Sequence, residues 1–175
     1  MPGQYANFFI ASSGASAAIL GLLFVAVTVA NMDDTDLQTR ERRTVLAGSA
    51  FLALIDAFFV SIVALTGGPV SLGLSSVAMA VVGLLGTTRL IHRAARAGNF
   101  SRGFSTRQLN IVFASVSAGG FSVQLGLGAA LAASDHSSVL VRALVLLIVC
   151  LYGSALGRAW EVMGIGRRRW DRDPQ

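Results

Sequence analysis

The chain has 175 residues, 54% of them hydrophobic and 13% charged, with a formal net charge of +5. Soluble domains carry about 25% charged residues, so a water-soluble fold is excluded: it would leave too much apolar surface wet. The composition indicates an all-α, polytopic membrane bundle. All 14 basic residues are arginine. The single cysteine, Cys150, excludes an intrachain disulfide and reads as an inert packed thiol.

The first apolar run, residues 8–30, reads as a membrane span. No Lys or Arg precedes it, and it exceeds the roughly 7–15 apolar residues of a signal peptide. Gly14, Ala18 and Gly21, with Ala11 and Ala17, crowd it at spacings that let helix backbones approach, which predicts an interior helix. The loop 31–45 places acids before arginines and reads as a solvated face. Thr35 and Gln38 have capping-box spacing, so a helix is expected to start there and run into the second span.

That second span, residues 46–66, organises the chain. About twenty mainly apolar residues cross a bilayer as a helix, and this run carries one acid, Asp56, at its midpoint. A carboxyl group there costs about 2.5–3.5 kcal/mol on insertion scales, which the folded protein must offset. Gly67-Gly68-Pro69 then makes a tight uncharged turn.

The third span covers residues 70–91. Gly73, Ser76, Ala80, Gly83 and Thr87 fall on one face, a stripe suited to helix packing; a pore lining gives the same pattern. Arg89, His92, Arg93, Arg96, Arg102 and Arg107 follow with no acid among them. This cluster reads as a cytoplasmic loop meeting anionic lipid, not as a nucleic-acid surface.

The fourth span, residues 109–133, follows a second capping-box pair, Ser105 and Gln108. Ser115, Gly119, Ser122, Gly126 and Ala130 form another small stripe, Gly119-Gly120 can soften the helix, and Gln124 is expected to hydrogen-bond to another helix. After a minimal turn at 134–137, the fifth span covers residues 138–162. Arg142 lies near its start, and Trp160 near its end as at a membrane interface. Arg158 and Glu161 are three apart and can pair. A polar tail, 163–175, completes a single membrane domain.

Every arginine except Arg142 falls in the first loop, the third loop or the C-terminal segment, or, for Arg89 and Arg158, in the last residues of the span leading into them. With five spans these share one side. The bias of Lys and Arg to the cytoplasm predicts a multi-pass protein of the bacterial plasma (inner) membrane, N-terminus outside and C-terminus cytoplasmic.

Asp56 has three open readings. It forms a packing ion pair with Arg142, or is protonated and bonds to a serine such as Ser49. It faces a water-filled path and helps carry a proton or cation. Or it contacts a helix of another protein or protomer. Arg142 alone can snorkel to the outer interface.

Catalytic motifs are missing. Gly14-Ala15-Ser16-Ala17 resembles the GxSG of intramembrane serine proteases but lacks the last glycine, and no histidine lies inside a span to act as base. His92 and His136 fall on opposite membrane faces and cannot share a metal. No phosphate-binding loop, dinucleotide fingerprint or potassium filter occurs. The expectation is no enzyme, no cofactor and no metal.

The N-terminal FFIASSGASAAILGLLFVAVTV and the C-terminal LGRAWEVMG resemble the two ends of a group of small five-span membrane proteins common in actinobacteria. The resemblance implies a membrane bundle and no established activity; some members are labelled modulators of a membrane protease. The expected function is a homo-oligomeric bundle acting as a small ion channel or pore. The rival is a non-catalytic accessory or regulatory subunit with a membrane-protein partner. A secondary transporter is disfavoured, since no paired repeat is visible.

Overall fold

The computed structural model describes residues 5–33, 37–96, 104–134 and 138–163, with side chains outside 30–43, 94–114 and 161–163. These residues form five helices: α1 (Ala6–Asp33), α2 (Leu37–Thr66), α3 (Pro69–Arg96), α4 (Phe104–Ala133) and α5 (Ser138–Met163). Each holds a stretch long and apolar enough to cross a membrane, from 19 residues in α4 to 25 in α3. Helix α2 starts well before its apolar stretch, so charged loop residues form its first turns. Helix α4 runs unbroken through Gly119-Gly120.

Helix α2 is the hub. It packs against α1, α3 and α5, while α4 closes the bundle between α3 and α5. Half of its apolar stretch is buried, against 17% for α1. Half of its buried positions among the described residues are alanine: Ala47, Ala50, Ala53, Ala57 and Ala64. Short side chains let neighbouring helices approach closely, which substitutes for a hydrophobic driving force in lipid.

The connection from α2 to α3 is as tight as its sequence suggests. The Gly67 amide bonds the Val63 carbonyl at 2.9 Å, and the Leu72 amide bonds the Gly68 carbonyl at 3.1 Å. Pro69 opens α3, where its missing N–H costs nothing. A Cβ at Gly67 would sit 2.8 Å from the Ser71 Cβ and 3.1 Å from the Val63 carbonyl oxygen, so a side chain there is excluded by contact.

Glycine also sets the helix contacts. Leu52 of α2 lies over Gly86 of α3, where a Cβ would come within 2.6 Å of its methyl group. Between α3 and α4 the backbones themselves touch. A Cβ at Gly73 would meet the Ala132 nitrogen at 2.6 Å and the Gly128 oxygen at 2.8 Å. Backbone cannot rotate away as a side chain can. Gly73→Ala is therefore expected to destabilise the bundle by about 1–3 kcal/mol through overpacking, read by unfolding titration in detergent. Gly14→Ala is the control, since a Cβ at Gly14 meets nothing within 4 Å.

Two expected stripes are placed differently. Gly14, Ala18 and Gly21 are exposed, and α1 is a peripheral helix. Small residues surround α1 on every side, so they select no face. Its hydroxyls do: the buried positions are Phe9, Ser12, Ser16 and Leu23. On α4, Gly119, Ser122 and Gly126 are exposed, and the inward face is Ser117, Phe121, Gln124, Gly128 and Leu131. Two residues of offset turn an α-helix by about 200°, which puts the expected stripe opposite the face buried within the bundle. On α3, Gly73, Ser76, Ala80, Gly83 and Thr87 are all buried. Cys150 is exposed on α5 and not packed.

Candidate functional site

Asp56, Gln124 and Ser76 meet in the centre of the bundle, where α2, α3 and α4 converge. Their levels explain the meeting. Asp56 lies ten residues before the end of α2, Gln124 nine before the end of α4, and Ser76 seven after the start of α3. At 1.5 Å per residue these are depths of about 15, 13 and 10 Å from the end bearing the α2–α3 turn. All three side chains are fully buried, at 0% exposure.

The Gln124 Nε2 group donates to Asp56 Oδ1 at 2.5 Å and lies 3.4 Å from the Ser76 carbonyl oxygen. Asp56 fixes the amide's orientation. Turned over, it would set two acceptors face to face. Three oxygens of the cluster have no hydrogen-bond partner among the described residues: Asp56 Oδ2, Gln124 Oε1 and Ser76 Oγ. Unsatisfied buried polar atoms are uncommon in folded proteins and mark points that need a physical reason.

The expected ion pair between Asp56 and Arg142 is not formed. Arg142 is exposed, four residues into α5, and so about 9 Å nearer the turn end than Asp56. It also faces the wrong way. The inward residues of α5 are Val141, Leu144, Ile148 and Leu151, and a neighbour of Val141 is turned about 100° from that face. Ser49 is not a partner of Asp56 either: its hydroxyl bonds the Leu46 carbonyl of its own helix at 2.8 Å.

Below the cluster, away from the turn end, the seam between α3 and α4 becomes apolar and then polar again. The Phe121 ring, 1% exposed, lies on Gly83; a Cβ there would sit 2.5 Å from the ring. One turn further, Ser117 and Thr87 are buried, and Thr87 Oγ1 has no hydrogen-bond partner among the described residues. The seam is thus a line of buried polar groups interrupted by one aromatic ring.

A second buried polar group was not foreseen. Ser61 of α2 donates to Ser12 Oγ of α1 at 2.9 Å, and Ser16 bonds the Ser12 carbonyl at 2.8 Å. The Tyr152 hydroxyl of α5 bonds the Ser12 carbonyl and the Ser16 hydroxyl. Ser12 and Ser16 are four apart and share a helix face, a signal the sequence carried. This network joins the peripheral α1 to α2 and α5. Arg158 was also missed as a buried group. It is 0% exposed, with Nε on the Ser154 carbonyl at 3.1 Å and a terminal nitrogen on Ser154 Oγ at 2.9 Å. Its spacing from Leu144, Ile148, Leu151 and Ala155 marks the inward face. The side chain of Glu161, its expected partner, lies outside the described residues.

Arg89, His92 and Arg93 are exposed at the end of α3 opposite the turn. Arg102, His136 and the side chains of Arg96 and Arg107 lie outside the described residues. Among the described residues, no group of three or more His, Cys, Asp or Glu side chains is arranged to hold a metal ion. Comparison with protein-family models, curated proteins and solved structures finds no match to this chain.

Proposed function

We propose that this protein is a small cation-conducting bundle of the bacterial plasma membrane, with its N-terminus outside and its C-terminus cytoplasmic. Arginine asymmetry supports the orientation, since cationic loops stay on the cytoplasmic side. One observation carries the conduction reading: a carboxyl group buried at mid-span, bonded to the Gln124 amide and flanked by oxygens with no partner among the described residues. Intramembrane acids are costly and mark ion or proton paths. In this reading the path follows the α3–α4 seam, where Ser76 and Gln124 meet Asp56 of α2 above the Phe121 ring and Ser117 and Thr87 are buried below it.

A second reading has its own support. Gly14 and Gly21 of α1, Gly119 and Gly126 of α4, and Gly153 and Gly157 of α5 would carry a Cβ without meeting any atom within 4 Å. Exposed glycine lets another helix come close, so these faces suit further copies of the chain, or a membrane-protein partner of an accessory subunit.

Cation flux into liposomes separates the readings. The wild-type chain is expected to conduct, and Asp56→Asn, which keeps the shape and removes the charge, is expected to lower the flux by about tenfold, equivalent to about 1.4 kcal/mol of barrier. Absence of flux in every ionic condition, with a co-purifying membrane protein, would favour the accessory role.

A further inference from the structure

We infer that Asp56, Gln124 and Ser76 form a binding site for one small, dehydrated monovalent cation of the sodium class. The inference rests on the conduction reading and names what the path holds. It starts from a donor and acceptor ledger. A carboxylate only accepts, an amide has one acceptor and two donors, and a hydroxyl has one donor. Both Gln124 N–H groups are directed, one at Asp56 Oδ1 and one toward the Ser76 carbonyl. With Asp56 ionised, that leaves Asp56 Oδ2, Gln124 Oε1 and Ser76 Oγ as acceptors without donors among the described residues. The Ser76 hydroxyl hydrogen satisfies one of them at most.

A hard cation held among these side chains would take oxygens of all three kinds, because hard ions bind carboxylate, carbonyl and hydroxyl oxygen. Charge selects its valence. The site carries one carboxylate, so one positive charge neutralises it, whereas a divalent ion leaves an uncompensated charge in a medium that penalises it. Space selects its size. One turn from Ser76, α3 and α4 are in backbone contact through Gly73 and Gly128. The helices cannot spread to supply the many oxygens that replace the hydration shell of potassium. A buried water and a proton on Asp56 itself are the competing occupants, since each offers a donor to orphaned acceptors.

The test is thermal unfolding of the full chain in detergent, with sodium chloride replacing choline chloride at constant ionic strength and pH. A ligand bound only by the folded state stabilises by mass action. At a sodium concentration tenfold above its dissociation constant, the midpoint is expected to rise by about 3–6 °C. Lithium should act similarly and potassium less. The rise should vanish in Asp56→Asn and shrink in Ser76→Ala, two substitutions that preserve packing. A midpoint indifferent to sodium, as a resident water would give, overturns the site. So does a sodium response that survives Asp56→Asn. Proton flux through liposomes together with an indifferent midpoint would sink the sodium site and leave the conduction reading standing.

Discussion

Replacing Phe121 by alanine is expected to open the α3–α4 seam and to destabilise the bundle together. The ring is 1% exposed and lies directly on Gly83. Nothing else on α3 fills that space, because Gly83 has no side chain. Truncating a buried Phe to Ala typically costs about 3–5 kcal/mol, from lost contacts and the cavity left behind. Contact with neighbouring atoms supplies most of this in a membrane protein, so the loss should persist in lipid. The cavity also has polar neighbours on both sides, with Gln124 one turn above and Ser117 one turn below. An apolar constriction closes a path by excluding water. Without it, water can join the two polar sections, and cation flux in liposomes should rise above the wild-type level. Flux unchanged in a folded Phe121→Ala protein would place the path elsewhere. Gly83→Ala bears on the same contact from the other side. It pushes the ring without removing it, and should destabilise without raising flux.

Gln124→Leu is expected to be the most damaging polar substitution in the chain. The leucine fills a similar volume and adds no polar atom, so the change is the lost amide. That amide makes the hydrogen bond to Asp56, which is 0% exposed. A buried group left without its partner costs about 1–3 kcal/mol, and more when it is charged. Leucine cannot replace the donor, and the Ser76 hydroxyl offers one hydrogen at most. Unfolding titration in detergent should show the loss. Ser49→Ala is a useful contrast, because its hydroxyl bonds only within its own turn, and it should change stability by less than about 0.5 kcal/mol.

The architecture was legible because five apolar runs of bilayer length leave little choice. The turn at Gly67-Gly68-Pro69 was legible for a local reason: proline cannot continue a helix but opens one well. The site was only partly legible. Asp56 stood out because an acid in an apolar run is costly, and Gln124 because it is the one amide in the apolar stretch Ser115–Ala133. Their pairing needed the levels of the helices. Arg142 attracts the eye as the opposite charge, but it lies too near the helix start and beside the inward face.

The α4 stripe carried its own contradiction. Gln124 is two residues from Ser122 and from Gly126, and so lies across the helix from both. An amide that needs a partner and a stripe on the opposite face cannot both be the packed side of a helix with one buried face. The amide wins, because glycine loses little by facing lipid and an unbonded amide loses much. The same rule decides α1, where Ser12 and Ser16 turn inward and Gly14 and Gly21 outward. Polar groups, more than small ones, reveal which side of a membrane helix is inside.

The most direct test of the Asp56–Gln124 contact is a double-mutant cycle on Gln124→Leu and Asp56→Leu. If the two side chains bond as described, removing both leaves no orphan, and the double variant should be more stable than Gln124→Leu alone. The coupling should be about 1–3 kcal/mol. Losses that simply add, within about 0.5 kcal/mol, would mean that Gln124 does not hold the buried acid.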